Sequence, residues 1–188
     1  MSVLDVPKSA ALILVDLQRA VDHPSWGPRN NPDAEHNAAL VLGRWRTSGR
    51  AVYHVRHDST EPNSTFRPGQ PGNEFKPEVI PLPTESIVVK RTNSAFVGTD
   101  LEARLRAANH ITLFIAGVST SNSVEATVRM AGNLGFATYL IEDAAFTFDR
   151  ADWSGRPRSA QEVHDMSLAN LHGEYCTVTS TARILAAT

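Results

Sequence analysis

Six short apolar runs, separated by stretches long enough to hold helices, restrict the possible folds of this chain more than any other feature. They fall at 10–16, 51–55, 86–90, 111–118, 137–141 and 175–178. Ala10-Ala11-Leu12-Ile13-Leu14-Val15 is apolar without alternation, the pattern of a strand buried on both faces. Segments of crossover length between the runs imply strands that run parallel rather than turning back as hairpins. Right-handed crossovers then give a doubly wound, three-layer α/β/α fold around a six-stranded, mainly parallel sheet. With 188 residues, 41% of them hydrophobic, residues 1–188 suit a single domain with one sizeable core.

Local signals place the helices. Asn31 and Pro32 read as cap and first turn of the first helix, with Ala39, Leu40, Leu42 and Trp45 on its apolar face and Gly49 at its end. Thr99-Asp100-Leu101-Glu102 and Ser159-Ala160-Gln161-Glu162 both have capping-box spacing. Residues 58–83 form a long connection rich in proline, glycine and asparagine, a length that implies function or packing on a neighbour. Residues 143–158 form a second loop, with Phe146, Phe148 and Trp153.

In open parallel sheets, ligands bind beyond the carboxyl ends of the strands. Asp16, Lys90 and the turn 117–123 all lie at such ends. The turn runs from an apolar strand into a helix carrying Val124, Val128, Ala131 and Leu134, so it presents backbone N–H groups and small hydroxyl side chains. A carboxylate and an ammonium flanking a nucleophile suit acyl transfer: the carboxylate takes the nucleophile's proton and returns it to the leaving amine. Taken singly, a strand-end charge or a serine-rich turn is ordinary.

Other classes are disfavoured. Net charge is −2 with both signs dispersed, which argues against a nucleic-acid or membrane-surface partner. No run approaches a membrane span, and the first residues lack a signal-peptide pattern. The one cysteine, Cys176, cannot form an intramolecular disulfide and points to a reducing, cytoplasmic compartment. The turn has one glycine, Gly117, where a dinucleotide fingerprint has three, and lacks the Gly-Lys-Ser/Thr of a phosphate loop. No cofactor is expected. No metal is expected either, since His54 and His57 face opposite sides of a strand.

Several motifs in order resemble the isochorismatase-like cysteine hydrolase superfamily, which includes nicotinamidases, N-carbamoylsarcosine and biuret amidohydrolases, and isochorismatases. Leu14-Val15-Asp16-Leu17-Gln18 resembles its first-strand motif. Lys90 with Ser94-Ala95-Phe96 and Gly98-Thr99-Asp100-Leu101 resembles its lysine motif. Gly117-Val118-Ser119-Thr120, with Val124 and Thr127, resembles its nucleophile turn, and Asp143 also fits. The resemblance implies Asp16 as proton acceptor and donor, Lys90 as its partner, and residue 123 as nucleophile. It further implies a cis peptide between Val118 and Ser119 and an oxyanion hole from the N–H groups of Ser119 and Ser123. Trp26, Phe75 and Phe96 become candidate walls for a small-molecule substrate, and Val21 replaces a common phenylalanine. A homo-oligomer, dimer or tetramer, is implied as well, to which Trp153 and the loop 58–83 could contribute.

One departure stands out: the family's nucleophilic cysteine falls on Ser123. A thiol starts near pKa ~8.5 and falls further at a helix N-terminus, whereas a serine hydroxyl is far less acidic. The sequence as written is therefore expected to have little or no cysteine-type amidase activity. Cys176 lies in the wrong motif and reads as a buried small residue. The favoured explanation is an engineered Cys-to-Ser change that inactivates an amidohydrolase. The alternatives are a natural serine hydrolase with an altered base, a ligand-binding pseudo-enzyme, or an isochorismatase cleaving a vinyl ether by Asp16 acid catalysis.

Overall fold

A computed structural model describes residues 4–188. Six strands form one sheet: β1 (Ala11–Val15), β2 (Val52–His57), β3 (Ser86–Lys90), β4 (Thr112–Val118), β5 (Ala137–Phe146) and β6 (Thr177–Thr179). They lie in the order β3-β2-β1-β4-β5-β6, and every pairing is parallel. The helices are α1 (Ala34–Thr47), α2 (Leu101–Ala107), α3 (Glu125–Asn133), α4 (Ala160–Leu171) and α5 (Thr181–Ala187). No helix among the described residues is long and apolar enough to cross a membrane.

Strand periodicity divides the core in two. Leu12 and Leu14 of β1 join Phe114 and Ala116 of β4 beneath Ala38, Val41, Leu42 and Trp45 of α1 and Ile184 of α5. Ala11, Ile13 and Val15 face the other way, with Leu113 and Ile115, against Leu101, Leu105, Val128, Ala131 and Leu171. Successive side chains of a strand point to opposite faces, so the unbroken apolar run of β1 supplies both layers.

Some local expectations are corrected. Helix α1 starts at Ala34, not at Pro32, and Asp33 rather than Asn31 precedes it. Asn31 takes a positive φ of 45°, and its amide donates to the Glu142 and Ala145 carbonyls at 2.9 and 2.7 Å, bracing β5 instead of capping a helix. Leu40 is 42% exposed; Ala34, Ala38 and Val41 bury in its place. At α2 the capping box does not form: Asp100 rather than Thr99 precedes the helix, Thr99 Oγ1 accepts from the Leu101 N–H at 3.3 Å and donates to the Ala95 carbonyl at 2.6 Å, and Glu102 pairs with Arg106. The box at Ser159 and Glu162 forms in full. Strand β5 continues past Ile141 to Phe146.

From β1 the chain builds outward through β2 and β3, then returns to β4 and builds the other way through β5 and β6. The crevice therefore opens at the carboxyl ends of β1 and β4. Here Gly117 pairs with Val15 at a φ of 135°. A Cβ on Gly117 would collide with the Val15 backbone, so only glycine lets the two strands approach this closely. Asp16 follows one partner and the Ser119 turn follows the other.

Candidate active site

Asp16 leaves β1 with a φ of 54°, a left-handed conformation that aspartate tolerates better than most residues. Its side chain thereby sits over the sheet end instead of in either core layer, at 3% exposure. Lys90 closes β3 and is 1% exposed. Its ammonium donates to Asp16 Oδ2 at 2.6 Å, to the Thr92 carbonyl at 3.0 Å and to Ser123 Oγ at 3.2 Å. Asp16 Oδ1 is buried and has no hydrogen-bond partner among the described residues. Burial pushes the Asp16 carboxyl above its usual range, and the attraction of Lys90, with help from Ser123, only partly opposes this.

Ser123 stands on a wide turn, Thr120–Val124, that leads from β4 into α3. The Val118–Ser119 peptide preceding it is cis. Thr127 Oγ1 donates to the Ser123 carbonyl at 2.7 Å and accepts from the Ala95 N–H at 3.0 Å, tying the turn to the segment that follows Lys90. Ser119 Oγ lies 2.6 Å from Thr147 Oγ1, which fastens the turn to the end of β5. Thr120 Oγ1 lies 2.9 Å from His164 Nδ1 on α4. The turn is thus held on three sides.

Asp16, Ser119 and Ser123 open onto a cleft of about 160 Å³. Trp26, Phe66 and Phe148 wall it, with Trp26 5.1 Å from Phe148 and 6.0 Å, edge-on, from Phe66 between ring centroids. Val21 lines it as well. The volume suits a small molecule rather than a polymer. A wider depression of about 1050 Å³ runs along α4 past Met166 and Trp153, which is 98% exposed, and contains none of these groups.

Of the three expected aromatic walls, only Trp26 reaches the cleft. Phe75 and Phe96 are corrections. Phe75 packs edge-on against His54 at 5.7 Å and lines a different surface groove, because its strand-like bridge to Gln18 turns it away. Phe96 stacks on Phe136 at 5.8 Å beside the α2 and α3 core layer. Phe66 and Phe148 take their places. Phe66 is drawn in by Asn73, whose amide donates to the carbonyls of Phe66 and His57, each at 3.0 Å. Lys76 pins the same loop, donating to Asp22 at 2.6 Å and Glu35 at 2.7 Å.

His57 is a further cleft residue whose place the spacing did not signal. It is the register partner of Lys90 across β2 and β3, and its Nδ1 lies 3.5 Å from Lys90 Nζ. Burial, then the Lys90 charge, hold its imidazole down at about 4, against a weaker pull from Asp58. His54, on the other face of the strand, is buried against Glu85 at 2.9 Å. Among the described residues no cluster of His, Cys, Asp and Glu has the form of a metal site. Cys176 is buried in the α2 and α3 core layer, with burial pushing its thiol up to about 11. Such a thiol is a poor nucleophile.

Comparison with known proteins places these features in context. Residues 10–183 match the family model of the isochorismatase domain. The uncharacterized isochorismatase family protein YrdC of Bacillus subtilis is 42% identical over 175 residues, covering 93% of this chain and 94% of YrdC. A crystal structure from Chromobacterium violaceum, provisionally described as a hydrolase of the isochorismatase family, is 62% identical with a TM-score of 0.97. That match covers 100% of this chain and 97% of the other. A shorter stretch of 67 residues, 36% of this chain and 29% of its relative, is 36% identical to the ureidoacrylate amidohydrolase RutB of Cronobacter sakazakii.

Proposed function

We propose a function that proceeds from one premise: the chain belongs to the isochorismatase family of hydrolases. Within that family it is an amidohydrolase-type protein. It acts on the C–N bond of a small amide, ureide or carbamoyl compound and carries serine at the position of the nucleophile. The observation that supports this reading is the buried ammonium of Lys90, within hydrogen-bond distance of both Asp16 and Ser123. The partial match to an amidohydrolase points to the same bond class.

Each group has a role set by its surroundings. The nucleophile at 123 attacks the substrate carbonyl carbon, and Asp16 accepts its proton. The C–N bond then breaks and Asp16 returns the proton to the departing amine. Water attacks the acyl group with Asp16 again taking the proton, the bond to residue 123 breaks to release the acid, and Asp16 returns the proton to the residue 123 side chain. Lys90 offsets the burial that drives Asp16 toward its neutral form. The backbone N–H groups of Ser119 and Ser123 receive the oxyanion. A thiolate formed beside Lys90 and the turn's N–H groups suits this sequence of steps. A serine hydroxyl facing a carboxylate base does not, so the Ser123 form has little or no amidase activity.

Ser123→Cys and Ser123→Ala, assayed for ammonia release from a panel of amides and ureides, test the reading. Activity gained only by the cysteine form supports it. Equal rates in both remove position 123 from the mechanism and favour acid catalysis by Asp16 alone. The intact cleft around an unreactive serine also suits a binding protein, and ligand uptake without turnover in either variant would favour that second reading.

A further inference from the structure

The charge inventory of the cleft carries an inference about its ligand, one that rests on the hydrolase reading for the reaction but not for the binding. The ionisable side chains lining the cleft are Asp16 and His57. Lys90 lies behind them and is already shared among Asp16, the Thr92 carbonyl and Ser123. Arg150, toward the rim, is exposed and donates to Asn122 Oδ1 at 3.3 Å. Arg56 is held by Asp58. A ligand carboxylate held beside Asp16, between three aromatic walls, would therefore meet no cation among the lining side chains, Arg91 and Arg150 being exposed outside that lining. Burying an unpaired anion is among the costliest events in a protein interior.

His57 does not supply the missing charge. Its Nδ1 faces the Lys90 ammonium at 3.5 Å, and an ammonium has donors only, so Nδ1 presents its lone pair and the ring proton sits on Nε2. Nε2 makes no hydrogen bond among the described residues. The ring is fixed from behind. Gln18 accepts from the His57 N–H at 2.7 Å and donates to its carbonyl at 3.2 Å, and Phe66 packs edge-on against the imidazole at 5.5 Å. Burial and then Lys90 disfavour a second proton, Asp58 favours one, and the outcome is a neutral ring above about pH 4.

We propose that the cleft selects an uncharged amide or ureide over its carboxylate-bearing analogue, and that His57 Nε2–H donates to an acceptor atom of that ligand.

Matched pairs in which a methyl replaces a carboxylate test this: butyramide against succinamate, and N-propylurea against N-carbamoyl-β-alanine. Titration calorimetry on the chain with Ser123 should show at least tenfold tighter binding of each neutral member. Ser123→Cys should show the same preference in kcat/KM for ammonia release. His57→Phe keeps the ring packing but loses the donor, and should weaken butyramide binding about tenfold. His57→Gln, still a donor, should recover part of that loss, and the change should appear in KM more than in kcat. Equal or tighter binding of the anions, or unchanged binding by His57→Phe, overturns the proposal. Ammonia release from both members without preference overturns the selectivity and leaves the hydrolase reading standing. Selective binding with no turnover by Ser123→Cys does the reverse, and absence of both binding and turnover overturns both.

Discussion

Lys90 Nζ lies 2.6 Å from Asp16 Oδ2, in a pair whose side chains are 0% and 4% exposed. At that burial neither charge is tolerable without the other, so the pair links the stability of the sheet end to the chemistry proposed there.

Removing one partner should be more damaging than removing both. Lys90→Met leaves the Asp16 carboxylate buried alone and should cost about 3–5 kcal/mol in urea denaturation. The double variant Lys90→Met with Asp16→Asn should recover much of that loss. A single variant as stable as the parent would mean that the pair is not ionised.

The close approach of β1 and β4 makes a second prediction. Gly117→Ala places a Cβ against the Val15 backbone at a φ that L-residues rarely adopt. It should cost more than about 2 kcal/mol by thermal or urea melting and should disorder the Ser119 turn. Gly27→Ala, in open space but also at positive φ, is the control and should cost less.

Acid stability follows from Glu35, buried beneath Arg29 and Lys76. Burial raises its carboxyl, but the hydrogen bonds of Arg29 and Lys76 outweigh that and hold it down at about 2, from an ordinary 4.5. A depressed carboxylate stabilises the fold above its unfolded value and stops doing so as pH falls toward its folded one. Between about pH 4.5 and 2 the protein should therefore lose on the order of 3 kcal/mol from this group. Glu35→Gln should be less stable at neutral pH and flatter across that window, as measured by urea midpoints at successive pH values.

Rates in the Ser123→Cys form should depend on Asp16. Its raised carboxyl must be ionised to accept a proton, so kcat/KM should fall on the acid side at a pH above the ordinary carboxylate range. Asp16→Asn should abolish that limb together with most of the activity. An acid limb unchanged by Asp16→Asn would assign the titration to another group.

What could be seen before the structure depended on whether the signal was local. Asp16 and Lys90 each end an apolar strand, and strand ends of one sense converge at one edge of a parallel sheet, so their meeting is legible from pattern alone. His57 also ends a strand. Its position in the cleft depends on which face its parity assigns and on its register with Lys90, and a histidine three residues from another gives no hint of either. The aromatics divide in the same way. Phe75 and Phe66 lie in one long loop, and the choice between them is made by Asn73 and Lys76 anchoring that loop from a distance. The Thr99 capping box failed because α2 starts one residue later, behind Asp100, so that Thr99 Oγ1 accepts from the Leu101 N–H at 3.3 Å and Glu102 turns to Arg106. At α4 the helix starts directly behind Ser159, so the spacing is in register and the box forms.

The most direct measurement is intact and peptide mass spectrometry of the Ser123→Cys variant, acid-quenched during ammonia release from butyramide. The account predicts a burst of ammonia and an added butyryl mass confined to residue 123, both absent when Asp16→Asn is added. A butyryl mass on Cys176, or ammonia release with residue 123 unmodified throughout, would contradict it.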